Sequence, residues 1–310
     1  MKLYFAPMEG ITLAVFRRIH HRHFPGIEKY FSPFLVANQT LHFHKKEIRD
    51  ILPEANPSVP LVPQILTNKA DQMLWAVETL AGYGYREINL NLGCSMPQVA
   101  KRGRGAGFLA DAEALDDFFT TVFKGLKGRD ISLSVKTRIG LTDPGEAREL
   151  LEVFNRHPLC ELIVHPRLMR ELYSGKPHLD VFSGIFSACR HPVCYNGDIF
   201  SEEDFKRLKE AFPGLDRCML GRGLLMDPAL ARRLQGGNAA PAEELKAYHD
   251  ALLNGFLGFL PDGRQAVTKM KGIWSFWGDS FPGKEKELKK LRKSIWPDEY
   301  RKWAAEILSS

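Results

Sequence analysis

Eight short apolar runs punctuate the first part of the chain, and their spacing constrains the fold more than any other feature. They are LYFAPM (3–8), KYFSPF (29–34), VPLVPQIL (59–66), REINLNLG (86–93), ISLSVKTRIG (131–140), CELIVHPR (160–167), PVCYNGD (192–198) and RCMLGRGL (217–224). Helix-like segments lie between several of them. ADQMLWAVETLAG (70–82) has apolar residues at 73, 74, 77 and 80, a helical period. DAEALDDFFTTVFKGL (111–126) opens with acids, which favour a helix N-terminus. SEEDFKRLKEAF (201–212) starts with a capping Ser. Apolar strands alternating with helices predict a parallel sheet covered on its outer face. Eight such units in about 225 residues predict a (β/α)8 TIM barrel over residues 1–234. A doubly wound open sheet is the competing arrangement. Against it, EGITLAV follows the first run where a Gly-rich dinucleotide turn would stand.

The pattern changes after QGGNAAPAEE, whose Gly, Ala and Pro predict a linker over 235–243. Beyond it, 244–260, 263–278 and 285–296 read as helices of a small C-terminal all-helical domain, 244–310. No apolar run among the 310 residues is long enough to span a bilayer, and MKLYFAPMEG lacks the apolar length and cleavage site of a secretory signal. Five Cys, at 94, 160, 189, 194 and 218, form no CxxC pair, and an odd number argues against a disulfide framework. A reducing, cytoplasmic location is expected. The net charge of +6 suits a polyanionic partner, and equally an ordinary basic enzyme.

In a barrel the site lies at the C-terminal ends of the strands. Polar and special residues collect there: Pro7, Met8 and Glu9, then Gln64, Asn91 and Cys94, Lys136 and Arg138, His165 and Arg167, Asn196 and Asp198, Gly221 and Arg222. Cys94 has no second thiol or His at ligand spacing, so a structural metal site is not expected. Its place in a Gly-containing loop favours function over simple packing. Lys136 and Arg138 share one face of a strand. Two cations in a barrel mouth require an anion or developing negative charge nearby, or else an acidic structural partner. NGD (196–198) and GRG (221–223) follow the last two strands, where barrels often bind phosphate. The clusters HHRHF (20–24) and HFHKK (42–46) lack Cys or carboxylate companions and are expected to be solvated basic surface. GRGAG (103–107) matches neither a dinucleotide fingerprint nor a P-loop.

Taken in order, APMEG, Gln64 in VPQIL, NLGC with Val99 and GAGFL, VKTRIG, VHPR, YNGD and LGRG resemble the tRNA-dihydrouridine synthase family. The resemblance covers residues 3 to 226, and KMKGIWSFW (269–277) is similar to that family's helical domain. It implies an FMN-bound barrel that reduces a uridine of tRNA, with NADPH as reductant. It places Pro7 and Met8 beside the flavin ring, and Gln64 and Lys136 at the ring's polar edge. His165, Asn196, Gly197, Asp198, Gly221 and Arg222 would lie around its phosphate end. Asn91 and Arg138 would hold the uracil, and Cys94 would be the general acid. Lys101, Arg102 and Arg104 would point away from the thiol toward RNA phosphates, with Lys269 and Lys271 as further RNA contacts.

Two positions depart from the family pattern. Ser95 stands where Pro usually follows the Cys, and Pro166 where Gly usually follows the His. Three rivals remain: an FMN-dependent small-molecule reductase, a non-catalytic RNA-binding relative and a phosphate-sugar aldolase. The retained Cys94, Lys136 and Arg138 argue against the second, and Cys94 with the helical tail against the third. A monomer is the simplest expectation. In the helical tail, KEKELKKLRKS is either an RNA grip or a solvated face, and Trp274, Trp277 and Trp296 are expected to form a small core.

Overall fold

The computed structural model describes residues 1–309. Its strands are β1 (Lys2–Phe5), β2 (Lys29–Phe31), β3 (Leu35–Val36), β4 (Leu61–Val62), β5 (Gln64–Leu66), β6 (Glu87–Leu92), β7 (Ser132–Arg138), β8 (Glu161–His165), β9 (Val193–Asn196) and β10 (Arg217–Leu220). All pair in parallel, and β10 returns to pair with β1. The second and third predicted runs are each split in two. Pro33 separates β2 from β3, and Pro63, which has no N–H to give the ladder, separates β4 from β5. Because β2 pairs with β4 and β3 with β5, the two broken units join side by side and the ring closes. The eight predicted runs are thus the eight staves of a TIM-barrel-like fold.

The outer helices are α1 (Ala14–His23), α2 (Lys45–Ile51), α3 (Ala70–Gly82), α4 (Pro97–Ala100), α5 (Ala112–Leu126), α6 (Glu146–Arg156), α7 (Leu179–Ala188), α8 (Glu202–Ala211), α9 (Arg222–Met226) and α10 (Leu230–Leu234). Asp111 caps α5 through the N–H of Ala114, and Ser201 caps α8 through that of Asp204, as the local sequence predicts. Inside the barrel, Tyr4, Ala6, Phe31, Val62, Ile163, Cys194 and Met219 form a buried plug. Below it, at the N-terminal ends of the strands, Glu161 is 1% exposed. It accepts from Tyr4 Oη at 2.9 Å, Lys29 Nζ at 3.2 Å and Arg217 Nη1 at 3.1 Å, while Lys29 also meets Glu87 at 2.7 Å. Each charge of this floor thus has an opposite partner, although Glu87 Oε1 is buried without a hydrogen bond.

Residues 235–241 are irregular, and four helices follow: α11 (Ala242–Phe259), α12 (Gly263–Trp277), α13 (Glu285–Lys293) and α14 (Pro297–Leu308). The third helix expected from sequence stops at Lys293, because Pro297 starts a new helix at its first position. The helical segment packs on the barrel through aromatic contacts, with Tyr248 of α11 5.1 Å from Phe24 and 6.5 Å from Phe16 of α1. Trp274 and Trp277 are buried, and Trp274 Nε1 donates to Tyr300 Oη at 2.7 Å. Trp296 departs from the expected core and is 60% exposed. HHRHF also departs from expectation. His20 is fully buried, its Nδ1 2.8 Å from Tyr30 Oη and its Nε2 3.1 Å from the Pro228 carbonyl. Burial pushes its pKa down to about 3, so the ring is neutral core. Its position on the inner face of α1 overrides the polar look of its neighbours. His42 and His44 are exposed, as the sequence suggests.

Candidate active site

The C-terminal ends of the strands open into one cleft with two lobes. The larger lobe is lined by Glu9, Gln64, Asn91, Cys94 and Arg138 among others. The smaller is lined by His165, Asn196, Gly197, Asp198, Gly221 and Arg222 among others. Pro7, Met8, Lys136 and Tyr173 line both and mark the junction. Every cofactor residue expected from sequence therefore reaches this cleft.

Cys94 is aimed by its neighbours. Asn91, at the inward face of β6, accepts from the N–H of Gly93 at 3.1 Å and of Cys94 at 2.9 Å. Its own amide donates to Gln64 Oε1 at 2.7 Å, and Gln64 donates to Asn89 Oδ1 at 2.8 Å. A buried ladder of amides thus holds the start of the thiol loop. GRGAG closes the loop from behind. Ala106 N–H donates to the Cys94 carbonyl at 2.9 Å, and a Cβ on Gly105 (φ +56°) would lie 2.7 Å from that oxygen. These glycines serve close packing. Burial raises the pKa of the Cys94 thiol, and Glu9 adds to the shift while Arg138 and Lys136 oppose it. The group stands as a neutral thiol at physiological pH.

Arg138 and Lys136 differ sharply. The Arg138 guanidinium is 3% exposed and tied to backbone. It donates to the carbonyls of Gly93 at 3.0 Å, Leu168 at 2.9 Å and Leu172 at 2.8 Å, joining the thiol loop to the loop after β8. Its partners are these three carbonyls and the Ser95 hydroxyl at 3.5 Å, and none is a carboxylate. The Lys136 Nζ has no hydrogen bond or ion pair among the described residues. Burial, with Arg138 adding to it, drops its pKa from 10.5 to about 8. An unpaired ammonium facing a cavity fits an acceptor group that occupies the cleft.

At the small lobe, Arg167 is a residue to which the sequence assigned no role. It is fully buried and forms a two-pronged pair with Asp198, Nη1–Oδ1 3.0 Å and Nη2–Oδ2 2.6 Å. Arg222 reaches the same carboxylate at 2.6 Å. Asp198 is thereby occupied in aiming two cations. His165, crowded by burial and then by Lys136, Arg138, Arg167 and Arg222, is held well below its ordinary pKa and is neutral. Its Nε2 faces Arg167 Nη1 at 3.3 Å, which assigns the proton to Nδ1. A Cβ on Gly221 would meet only Ala6 at 3.5 Å and Met8 at 3.7 Å, ordinary contacts. Tyr173, in the loop after β8, is a further residue the sequence did not single out. It lies under the Arg222 guanidinium at 4.7 Å.

The expected RNA contacts divide. Lys101 and Arg102 are exposed, and Arg104 is partly so. Lys269 and Lys271 are engaged by the chain itself: their Nζ atoms donate to the Gly10 carbonyl at 2.8 Å and the Ser294 carbonyl at 2.9 Å. Lys269 thus ties α12 to the loop after β1 that carries Pro7, Met8 and Glu9. Among the described residues, no three His, Cys, Asp or Glu side chains converge as metal ligands would, and no helix is long and apolar enough to cross a membrane.

This geometry can be set beside known proteins. The "tRNA-dihydrouridine(16) synthase" of Neisseria meningitidis serogroup B is 30% identical over 252 residues, 78% of this chain and 74% of that one. The protein of the same name from Ralstonia nicotianae is 30% identical over 241 residues, 76% and 73% of the two chains. Morphinone reductase shares the fold at a TM-score of 0.54 with 10% identity, covering 78% of this chain and 87% of its own. The family described as "Dihydrouridine synthase (Dus)" matches residues 4–256, from the first strand into the last turn of α11. With that match spanning both lobes of the cleft, the chain belongs to the dihydrouridine synthase family of oxidoreductases.

Proposed function

We propose that the protein reduces a uridine of tRNA to 5,6-dihydrouridine, with FMN bound in the cleft and NADPH as reductant. The observation that carries this reading is a neutral thiol, Cys94, sharing one cavity with the unpaired ammonium of Lys136. When bound, the flavin supplies hydride to C6 of the uracil. The chain supplies the rest. Lys136 offers a donor at the junction of the lobes and Gln64 one in the larger lobe, Pro7 and Met8 give an apolar wall, and Arg222, Gly221, Asn196, Gly197 and His165 surround a phosphate end. Asp198 and Arg167 act behind them by fixing the Arg222 guanidinium. The C5=C6 double bond becomes a single bond, C5 takes a proton, and Cys94 gives it. A thiol whose pKa is raised is the right reagent, because it still carries its proton at neutral pH. Asn91 positions that thiol through the loop backbone and keeps one amide hydrogen for uracil. Arg138 fixes the wall of the same lobe and has one Nη1 hydrogen left for the base.

A uridine within folded RNA must leave its stack to enter the cleft. Lys101, Arg102 and Arg104, next to the thiol loop, are placed to hold the flanking phosphates. Position 16, which both relatives carry in their names, is the first to assay. Residues of one chain line the cleft, so a monomer suffices. The test is spectroscopic. The purified protein should be yellow, bleach with NADPH without oxygen, and regain its colour with unmodified tRNA but not with free uracil. A protein that takes up no FMN would sink the reading. Recovery with a small enone and none with tRNA would move it to the small-molecule reductases.

A further inference from the structure

Ile295 and Trp296, side by side in the connector between α13 and α14, are 55% and 60% exposed. The segment is not loose. Ser294 just before it is fully buried, its Oγ donates to the Leu291 carbonyl at 2.6 Å, and Lys271 Nζ holds its carbonyl at 2.9 Å. On the other side, Pro297 abuts the start of α12, where a Cβ on Gly263 would lie 2.9 Å from its ring. The connector is therefore braced at both ends while presenting a large aromatic face outward. Arg264, on the first turn of α12, lies over the Trp296 ring at 5.4 Å.

The surroundings say which partner fits. From Leu288 to Pro297 the chain carries Lys289, Lys290, Arg292 and Lys293 and no acid. The four are exposed. Arg264 is partly neutralised by Asp262, with Nη2–Oδ2 at 2.6 Å, and Asp298 stands exposed two residues past Trp296. Close to the ring, then, the surface suits a flat uncharged group, and the excess cation lies toward α13. That is the chemistry of a nucleobase on a phosphate backbone.

We infer that Trp296 is a stacking platform for an unpaired base of the tRNA substrate, a base other than the uridine that enters the cleft, with Arg264 backing one face of the ring, Ile295 beside it and Lys293 on the adjoining phosphate. The inference rests on the proposed tRNA substrate. Its test uses binding alone, in the full-length flavoprotein carrying Cys94→Ala so that turnover does not intervene. The affinity for unmodified tRNA is measured against salt by fluorescence anisotropy. Trp296→Ala should weaken binding about ten-fold at every salt concentration with the slope unchanged, because stacking releases no counterions. Trp296→Phe should recover most of it. Lys293→Ala should lower the slope by about one. Equal affinity of Trp296→Ala and its parent, with the parent binding tRNA, would overturn the platform and leave the cleft reading standing. Loss of a dimer in Trp296→Ala with tRNA affinity unchanged would overturn it in favour of a second copy of this chain. A parent that binds no tRNA would overturn both.

Discussion

The floor and the mouth of the barrel are built from the same strands and hold the same kinds of side chain, yet they settle their charges in opposite ways. At the floor, Glu161 at the start of β8 is shared by Tyr4, Lys29 and Arg217. At the mouth, Lys136 near the end of β7 has no hydrogen-bond or ion-pair partner among the described residues, and His165 at the end of β8 is ringed by cations. A folded chain tolerates buried charge when it is paired. The floor obeys that rule and is a structural plug. The mouth pairs Arg167 and Arg222 with Asp198 but leaves the Lys136 ammonium unmatched among the described residues, and what that ammonium lacks is what a ligand would bring. The difference between the two ends marks the site more sharply than the identity of any one residue.

The largest expected effect lies at the mouth. Cys94→Ala should slow reoxidation of the reduced flavoprotein by tRNA by about 10²–10⁴-fold, the range for loss of a general acid. Melting temperature and tRNA affinity should hardly move. Stopped-flow absorbance reads the first, and a rate within a few-fold of the parent would remove Cys94 from the chemistry. Because burial raises the thiol pKa, the rate should stay level through neutrality and fall only at alkaline pH, as the proton is lost. The floor should answer in the reverse sense. Glu161→Gln leaves Lys29 and Arg217 short of a carboxylate, at a cost of about 3 kcal/mol. Urea unfolding should show that loss while turnover per folded molecule stays at the parental level. A fall in turnover larger than the fall in folded fraction would mean that the two ends are coupled.

How much of this was legible in the sequence follows from where each residue finds its partners. Eight apolar runs gave the staves of the barrel, because strand burial is written locally. Cys94 and Lys136 were legible because a thiol and an ammonium at strand ends have few other uses. Arg167 stood in the same register, but its meaning depends on Asp198, 31 residues away on the next strand's loop. Lys269 reads as a surface cation until its carbonyl partner Gly10 is seen 259 positions earlier in the chain. The three Trp of the tail look alike in sequence. Trp274 and Trp277 sit on the inward stripe of α12, while Trp296 falls in a connector whose direction Pro297 decides. Patterns with a short period could be read; pairings set by tertiary contact could not.

Lys136 gives the finest test of the comparison, because the same substitution should help the fold and harm the site. Its pKa drops from 10.5 to about 8, so below pH 8 the flavin-free fold carries an ammonium that the unfolded chain solvates better. The native state binds fewer protons than the unfolded state between about pH 8 and 10.5, and its stability should rise with pH across that window. Lys136→Met removes the unpaired charge. At pH 7 the flavin-free variant should be more stable than the parent, by about 1–2 kcal/mol once solvent at the mouth is allowed for, and it should lack the rise above pH 8. FMN affinity should move the other way, about ten-fold weaker in the variant for one lost charge-assisted hydrogen bond. In the parent, affinity should fall as pH climbs past about 8 and the free ammonium loses its proton. Urea melts at pH 7 and 9.5 with a flavin titration at each pH read all of these. If Lys136→Met is destabilised as Glu161→Gln is, the mouth is paired after all, and the contrast between the two ends of the barrel fails.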